Sequence, residues 1–218
     1  MRSGGSLVHI ACKPFMGYNP ITKHTKKELF SSLTSFFFEL GTLRKVLRSH
    51  RQTLLTDDLS DNIASHSFRV TLIGWFLAKE ESADPHKVLL MCLLHDLEET
   101  RSGDQNWVHK PYVKVYEEEI SESQLKGLPF EQELKAVLSE YRERKTHEAI
   151  IAKDADLLDE ILLLKEYSQL GNKEADRWLT MRAQKRALST RAAQKLADAL
   201  YHSHPNDWWD GIWSSQRR

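Results

Sequence analysis

From about residue 26 to residue 202 the apolar side chains recur at helical spacing. No stretch of useful length alternates between apolar and polar residues as a half-buried strand does. In the first segment, Leu33, Phe36 and Leu40 share one helical face. A chain of 218 residues is long enough to bury a substantial core in one domain. The sequence therefore predicts an all-α fold, a single-domain irregular helical bundle.

Start and stop signals divide this pattern into separate helices. Asp84 followed by Pro85 predicts a sharp helix start, and the wholly apolar residues 88–94 predict that this helix is the buried centre of the domain. Ser60 or Asp61 is the predicted cap of the helix before it. The predicted helices cover residues 26–49, 62–81, 84 to about 103, 130–143, 146–169, 173–187 and 189–202.

The two ends of the chain depart from this pattern. Residues 1–25 mix glycine, proline and polar residues, and predict a poorly ordered leader ahead of a domain that spans residues 26–218. The C-terminal segment is rich in tryptophan, and Trp208, Trp209 and Trp213 are predicted to pack on the domain surface. Two alternatives are that these rings stack a base or form a subunit contact, so a homodimer is compatible with the sequence.

The charge balance excludes some classes of partner. The chain has 31 basic and 31 acidic residues, which gives no reason to expect binding to a nucleic-acid duplex or to an anionic membrane. A small anionic ligand stays compatible, because a local cluster of cations can hold a phosphate. The two cysteines, Cys12 and Cys92, form neither a disulfide framework nor a metal clip, and no signal peptide or membrane span is apparent. A reducing, cytoplasmic location is therefore expected.

Three places in the predicted helices carry metal-ligand residue types. They are His66, the pair His95 and Asp96, and the acids Asp154 and Asp156. The pair follows directly on an apolar run, and a buried carboxylate needs a partner because an unpaired buried charge costs several kcal/mol. A divalent cation would satisfy both side chains. A hydrogen-bonded core histidine and a solvated acid are the alternatives, and helical spacing does not choose between the two acids.

The order His, then His-Asp, then Asp on helices resembles the HD-domain superfamily of metal-dependent phosphohydrolases. That resemblance covers about residues 40–170 and implies that His66, His95, Asp96 and Asp156 bind a divalent metal. Imidazole with carboxylate ligands suits Mn, Co, Fe, Ni or Zn. The implied fold is the HD-type helical bundle.

Within the superfamily, the sequence is most similar to the 5′-deoxynucleotidase branch. The segment from Asp61 to His66 and the Gly103-Asp104 pair resemble that branch, and Glu99 shares a predicted helical face with His95. The resemblance implies that Glu99 and Asp104 are catalytic and handle the attacking water. Taken alone, Glu99 could be a solvated helix-end acid, and Asp104 a turn residue.

The basic residue that would hold the phosphate is less clear from the sequence. The branch has an Arg-Trp pair before the first histidine, whereas here Arg48 and Arg51 are the candidates and neither precedes a tryptophan. Arg51 fits better by spacing, although a charged helix face explains both arginines equally well. Lys110 and His109 follow the predicted site in a loop and could line the pocket.

The function predicted from these residues is removal of phosphate from (deoxy)nucleoside 5′-monophosphates by a metal-activated water. The substrate is then a small phosphate ester. One alternative keeps the metal but changes the bond, which gives a phosphodiesterase or a nucleotide pyrophosphohydrolase. Another is a nucleotide-binding helical module without turnover.

Overall fold

The computed structural model describes residues 26–212, and this part of the chain is helical with no β-sheet. The predicted all-α fold is therefore confirmed. A single isolated bridge pairs Leu47 with Asn62. The described α-helices are α1 (Lys26–Leu40), α2 (Arg51–Leu54), α3 (Ile63–Glu80), α4 (Pro85–Leu94), α5 (Glu99–Ser102), α6 (Glu117–Leu125), α7 (Glu131–Glu143), α8 (His147–Gln169), α9 (Lys173–Met181), α10 (Ala183–Ala187) and α11 (Arg191–His202). The predictions for residues 1–25 and for Trp213 lie outside the described residues.

The main core lies where α3, α4 and α8 meet. Its fully buried members come from all three helices and include Val70, Val88, Met91, Cys92, Ile151, Ala155, Leu158 and Ile161. Burial of these side chains is the dominant favourable contribution to folding. In the run 88–94, Val88, Met91 and Cys92 lie in this core as predicted, but Leu93 is 48% exposed.

Gly74 allows the three central helices to approach one another closely. A Cβ atom at this position would lie 2.5 Å from Cys92 Sγ and 3.1 Å from Val88 Cγ1. Only a residue without a side chain fits between α3 and α4 at that separation. The close packing brings His66 on α3 near the end of α4.

The start of α3 is fixed by a capping box, and Asn62 is the cap instead of Ser60 or Asp61. The Asn62 side chain accepts a hydrogen bond from Ser65 N–H, while Ser65 Oγ accepts one from Asn62 N–H. Asp61 instead accepts a hydrogen bond from His50 Nε2 at 2.8 Å. At α4, the predicted Asp84 cap is confirmed by its bonds to two backbone N–H groups.

The helix predicted to run on to Gly103 ends earlier, at Leu94. Leu97 N–H donates to Leu94 carbonyl at 2.9 Å, and Glu99 N–H donates to Asp96 carbonyl at 3.1 Å. These bonds span three residues, so the chain tightens into a run of turns before the short helix α5. His95 and Asp96 therefore lie on a turn that leaves the core.

Two further predictions are corrected by the structure. The predicted helix 173–187 is divided at Arg182, which adopts the left-handed conformation with φ of 53° between α9 and α10. In the tail, Trp208 is 76% exposed and does not pack on the domain surface as predicted, whereas Trp209 is 39% exposed.

Candidate metal centre

Three side chains from separate elements converge next to the core. His66 comes from α3, His95 from the turn after α4, and Asp156 from α8. One ligand atom of each lies within 4.8 Å of the others. The two Nε2 atoms are 3.1 Å apart, and His66 Nε2 lies 3.4 Å from Asp156 Oδ1. Residues up to 90 positions apart in the sequence thus form one cluster.

Asp96 completes the set that the sequence predicted. Its Oδ2 lies 3.1 Å from His95 Nε2 and 3.5 Å from His66 Nε2. The structure therefore brings together two imidazoles and two carboxylates that were predicted as ligands. Asp156 alone belongs to this cluster among the two candidate acids, because the neighbouring Asp154 accepts hydrogen bonds from the backbone of Ser189 and Thr190.

Both histidines present the same nitrogen to the cluster. His95 Nδ1 lies 2.8 Å from the carbonyl oxygen of Cys92, to which it donates. His66 Nδ1 lies 2.6 Å from Asp159 Oδ2 and donates to that carboxylate. With each Nδ1 carrying a proton, each Nε2 has a lone pair in the neutral ring. Asp159 is not among the residues predicted from the sequence, and its position one helical turn after Asp156 does not by itself reveal the contact with His66.

A cavity of about 580 Å³ opens over the cluster. His95, Asp96 and Asp156 lie in its wall, together with the predicted residues Arg48, Glu99, Asp104 and Lys110. Its volume falls within the range of small-molecule sites. The site is thus a pocket next to a metal-ligand cluster.

The structure corrects the preference for Arg51. The Arg51 guanidinium bonds to Asp57 Oδ1 at 3.3 Å and to the carbonyl of Thr56 at 3.4 Å, at a separate surface depression. Arg48 instead lines the cavity, and its side chain is 12% exposed. Sequence spacing misled here because the chain turns between the two residues, and α2 begins at Arg51.

Three buried polar atoms of cavity-lining residues have no hydrogen-bond partner among the described residues. They are Arg48 Nε, Glu99 Oε2 and Arg144 Nε. Asp104 lies beside Arg48, with its Oδ2 3.8 Å from Arg48 Nε, and accepts hydrogen bonds from Ser49 N–H and Oγ–H. Unpartnered buried groups are rare in folded proteins, so these three atoms are candidate contacts for a ligand in the cavity.

A comparison with families of known proteins identifies the family of this chain. Residues 40–198 match the family described as HD domain. The chain belongs to the HD-domain family.

Related sequences carry names that agree with this family. The HD-domain chain is 29% identical over 136 residues to 5′-deoxynucleotidase HDDC2 of Dictyostelium discoideum, a match that covers 53% of this chain and 70% of that one. It is 27% identical over 178 residues to a 5′-deoxynucleotidase of Erwinia tasmaniensis, covering 74% of this chain and 86% of that protein. The HD-type resemblance seen in the sequence is confirmed.

Solved structures show the same fold. A conserved hypothetical protein from Pyrococcus furiosus superposes with a TM-score of 0.65 at 22% identity, covering 78% of this chain and 99% of that one. A predicted metal-dependent phosphohydrolase from Magnetospirillum magnetotacticum superposes with a TM-score of 0.57 at 22% identity, covering 82% and 94%. The sequence match thus shows the family, and the superpositions show the fold.

The electrostatics of the HD-domain cluster suit a divalent cation. Burial acts to raise the pKa of Asp96, but its electrostatic attraction to His95, its hydrogen bond with His95 and its attraction to His66 outweigh burial and lower the pKa to about 2. Burial and Arg48 act to lower the pKa of His66, but its hydrogen bonds to Asp156 and Asp159 raise the pKa to about 9. In the absence of a cation, a proton on His66 thus supplies the positive charge that the carboxylates attract. A bound cation would displace that proton and supply the charge instead.

The pKa of Glu99 is shifted upward, in contrast to that of Asp96. Burial, followed by repulsion from Asp96 and Asp104, raises the pKa of Glu99 to about 10. A divalent cation in the cluster would oppose this rise, because a nearby positive charge favours the carboxylate. The protonation state of Glu99 therefore depends on the charge of the cluster. A group that transfers protons needs a pKa that its surroundings can adjust in this way.

In the described part of the chain, none of the helices is long and apolar enough to cross a membrane.

Proposed function

We propose that this HD-domain protein hydrolyses nucleoside 5′-monophosphates, including deoxynucleotides, to a nucleoside and inorganic phosphate. One observation carries the proposal: Arg48 Nε and Glu99 Oε2, which have no hydrogen-bond partner among the described residues, belong to side chains that line the same cavity as the metal cluster. A guanidinium suits a phosphate and a carboxyl group suits proton transfer, so the wall offers both next to the cluster. The names of the two related nucleotidases support this choice.

His66, His95, Asp96 and Asp156 would hold the divalent cation. When bound, such a cation polarises a phosphoryl oxygen and lowers the pKa of a coordinated water. The residues fit it because all four offer nitrogen or oxygen ligands and both Nε2 atoms are free of other donors or acceptors outside the cluster. Mn, Co, Fe, Ni and Zn all accept this ligand set.

The protein side chains account for the remaining steps. Arg48 binds the phosphoryl group and offsets its negative charge. Glu99 takes the proton of the attacking water as the oxygen–phosphorus bond forms, and returns it to the leaving oxygen of the nucleoside as the old bond breaks. Asp104 holds the Arg48–Ser49 segment against the cavity through its bonds to Ser49. Asp104 therefore acts as a positioning residue in this mechanism.

The cavity has room for more than a phosphate. Its volume of about 580 Å³ matches a nucleotide-sized ligand. Trp107 lines it with 64% of its surface exposed, and a tryptophan ring of this kind can stack on a base. The proposal therefore places the phosphate at Arg48 and the nucleoside toward Trp107.

The test is a phosphate-release screen on metal-loaded protein, over deoxynucleoside and ribonucleoside monophosphates. His95→Ala and Asp96→Ala should abolish release and metal retention, whereas the half-exposed His147→Ala should change neither. Glu99→Gln should keep the metal and lose turnover. Comparing p-nitrophenyl phosphate with its bis ester separates a monoesterase from a diesterase. Nucleotide binding without phosphate release from any of these compounds would contradict the proposal.

A further inference from the structure

His66 is held on both sides of its ring by the same helix. Its Nε2 lies 3.4 Å from Asp156 Oδ1, and its Nδ1 donates to Asp159 Oδ2 at 2.6 Å. The two acids are three residues apart on α8, so they project from the same face of that helix. One acid lies in the cluster and the other lies behind the ring.

We propose that Asp159 is a positioning residue that orients His66 for metal binding. The inference depends on the metal cluster and on no particular substrate of the proposed function. By accepting a hydrogen bond from Nδ1–H, the carboxylate keeps the lone pair of the neutral ring at Nε2, which faces His95, Asp96 and Asp156. It also makes the imidazole a stronger electron donor to a cation.

Asp159 itself is held in place through its other carboxylate oxygen. Its Oδ1 accepts a hydrogen bond from Arg69 Nε, and Arg69 Nη1 donates to Glu166 Oε1 at 2.5 Å. Asp159 is 4% exposed, so its charge needs both partners. Arg69 lies three residues after His66 on α3, and Glu166 lies seven residues after Asp159 on α8. These bonds fix the Asp159 carboxylate, and the fixed carboxylate restricts the movement of the His66 ring.

The two histidines of the cluster differ in the group that accepts the hydrogen bond from Nδ1. His95 donates its Nδ1 proton to the neutral carbonyl oxygen of Cys92, which belongs to the helix that precedes it. His66 donates to a charged side chain that comes from a different helix. The backbone would hold His95 whatever side chains surround it, whereas the orientation of His66 depends on Asp159. Asp159 is therefore the position at which a substitution should disturb metal binding without removing a ligand.

If Asp159 only linked α3 to α8, its substitution would lower stability and leave Mn²⁺ affinity unchanged. The experiment measures the Mn²⁺ dissociation constant by chelator competition, in the absence of substrate, for Asp159→Ala and Asp159→Asn. Asp154→Asn is the matched control, because Asp154 is also a buried acid of α8 that binds another segment. We expect Asp159→Ala to weaken Mn²⁺ binding about 10- to 100-fold, with a smaller loss for Asp159→Asn. Asp154→Asn should bind Mn²⁺ like the wild type.

Activity at saturating Mn²⁺ provides a second readout. Excess metal should return most of kcat to Asp159→Asn with KM for the phosphate ester unchanged, because every ligand and the substrate contacts remain. Wild-type Mn²⁺ affinity in Asp159→Asn and Asp159→Ala, with only a loss of stability, would overturn the inference. Asp159→Asn is nearly isosteric, so it keeps the test decisive if Asp159→Ala does not fold.

A spectroscopic measurement separates this inference from the proposed function. In Co²⁺-loaded wild type, the Nδ1–H protons of both ligand histidines should give paramagnetically shifted proton resonances. One of the two should be lost by solvent exchange in Asp159→Ala, and both should persist in Asp154→Asn. Persistence of both resonances in Asp159→Ala would again overturn the inference. A protein that shows the expected loss but releases no phosphate from nucleotides would contradict only the proposed function.

Discussion

Asp154 and Asp156 lie two residues apart on α8 and serve different faces of that helix. Asp154 Oδ2 accepts hydrogen bonds at 2.7 Å from both the backbone N–H and the hydroxyl of Thr190, the residue that caps α11. Asp156 Oδ1 instead lies 3.4 Å from His66 Nε2 in the metal cluster. Two acids of one helix thus have separate roles: Asp154 stabilises the fold, and Asp156 belongs to the metal cluster.

Removing each charge should therefore give opposite results. We expect Asp154→Asn to lower the free energy of unfolding by about 1–3 kcal/mol, because buried N–H donors lose a charged acceptor. Metal content should stay unchanged. Asp156→Asn should lower metal affinity more than about 100-fold, beyond the effect of an outer residue, with little loss of stability in the metal-free protein. Urea unfolding and metal analysis check both. Equal metal loss in the two variants would contradict this division.

Arg48 and Arg51 provide a second matched pair. Arg48 lines the cavity, whereas Arg51 bonds to Asp57 elsewhere on the surface. We expect Arg48→Ala to lower kcat/KM for phosphate release about 10- to 150-fold, the equivalent of one lost charged hydrogen bond. Arg48→Lys should recover only part of this, because an ammonium cannot bind a phosphate in bidentate fashion. Arg51→Ala should stay within about two-fold of wild type. Similar losses in both alanine variants would place the phosphate elsewhere.

The fold and the four cluster residues could be predicted from the sequence, but on different grounds. Helical spacing predicted the all-α class, whereas the resemblance to the HD-domain superfamily predicted His66, His95, Asp96 and Asp156 as ligands. Local pattern could not distinguish Asp154 from Asp156, because both are flanked by apolar residues. That distinction depends on which neighbouring segment packs against each face of α8.

The errors have the same origin. Spacing favoured Arg51, but the chain turns before α2 and leaves Arg48 in the cavity wall. Periodicity extended the fourth helix to Gly103, whereas bonds spanning three residues end it at Leu94. Asp159 was missed because a residue behind a ligand is defined only by the tertiary contact it makes. In each case the missing information was the geometry of a turn or a helix contact.

The acid stability of the protein should depend on Glu39. This residue of α1 accepts hydrogen bonds from Arg101, Thr100 and Gln124, and the bond to Arg101 is the main reason that its pKa is lowered from 4.5 to about 2. A lowered carboxyl pKa stabilises the fold fully above pH 4.5, and this contribution is lost as the pH falls toward 2.

Glu39→Gln should therefore make the free energy of unfolding less dependent on pH between 5 and 3. Solvent screening limits the difference between wild type and variant to about 1 kcal/mol over this range. The measurement is urea unfolding at several pH values, with the exposed Glu119→Gln as control. If wild type and Glu39→Gln lose stability in parallel as the pH falls, the hydrogen bonds to Glu39 do not contribute as described.

The contact of Gly74 with Cys92 predicts a reversal of the usual effect of alanine in a helix. At an open helical position, Gly→Ala stabilises by up to about 1 kcal/mol. At Gly74 the new Cβ would lie 2.5 Å from Cys92 Sγ, so the helices must separate. We expect Gly74→Ala to lower the free energy of unfolding by about 1–3 kcal/mol.

Removal of the opposing sulfur should relieve this clash. Cys92→Ala alone should destabilise by about 1 kcal/mol through the small cavity it leaves. The double variant should be more stable than the sum of the two single losses predicts, because the new Cβ fills the space that the sulfur vacates. A double-mutant cycle by urea unfolding measures the coupling. Additive losses would show that Val88, whose Cγ1 lies 3.1 Å from the same position, limits the approach of α3 and α4 instead.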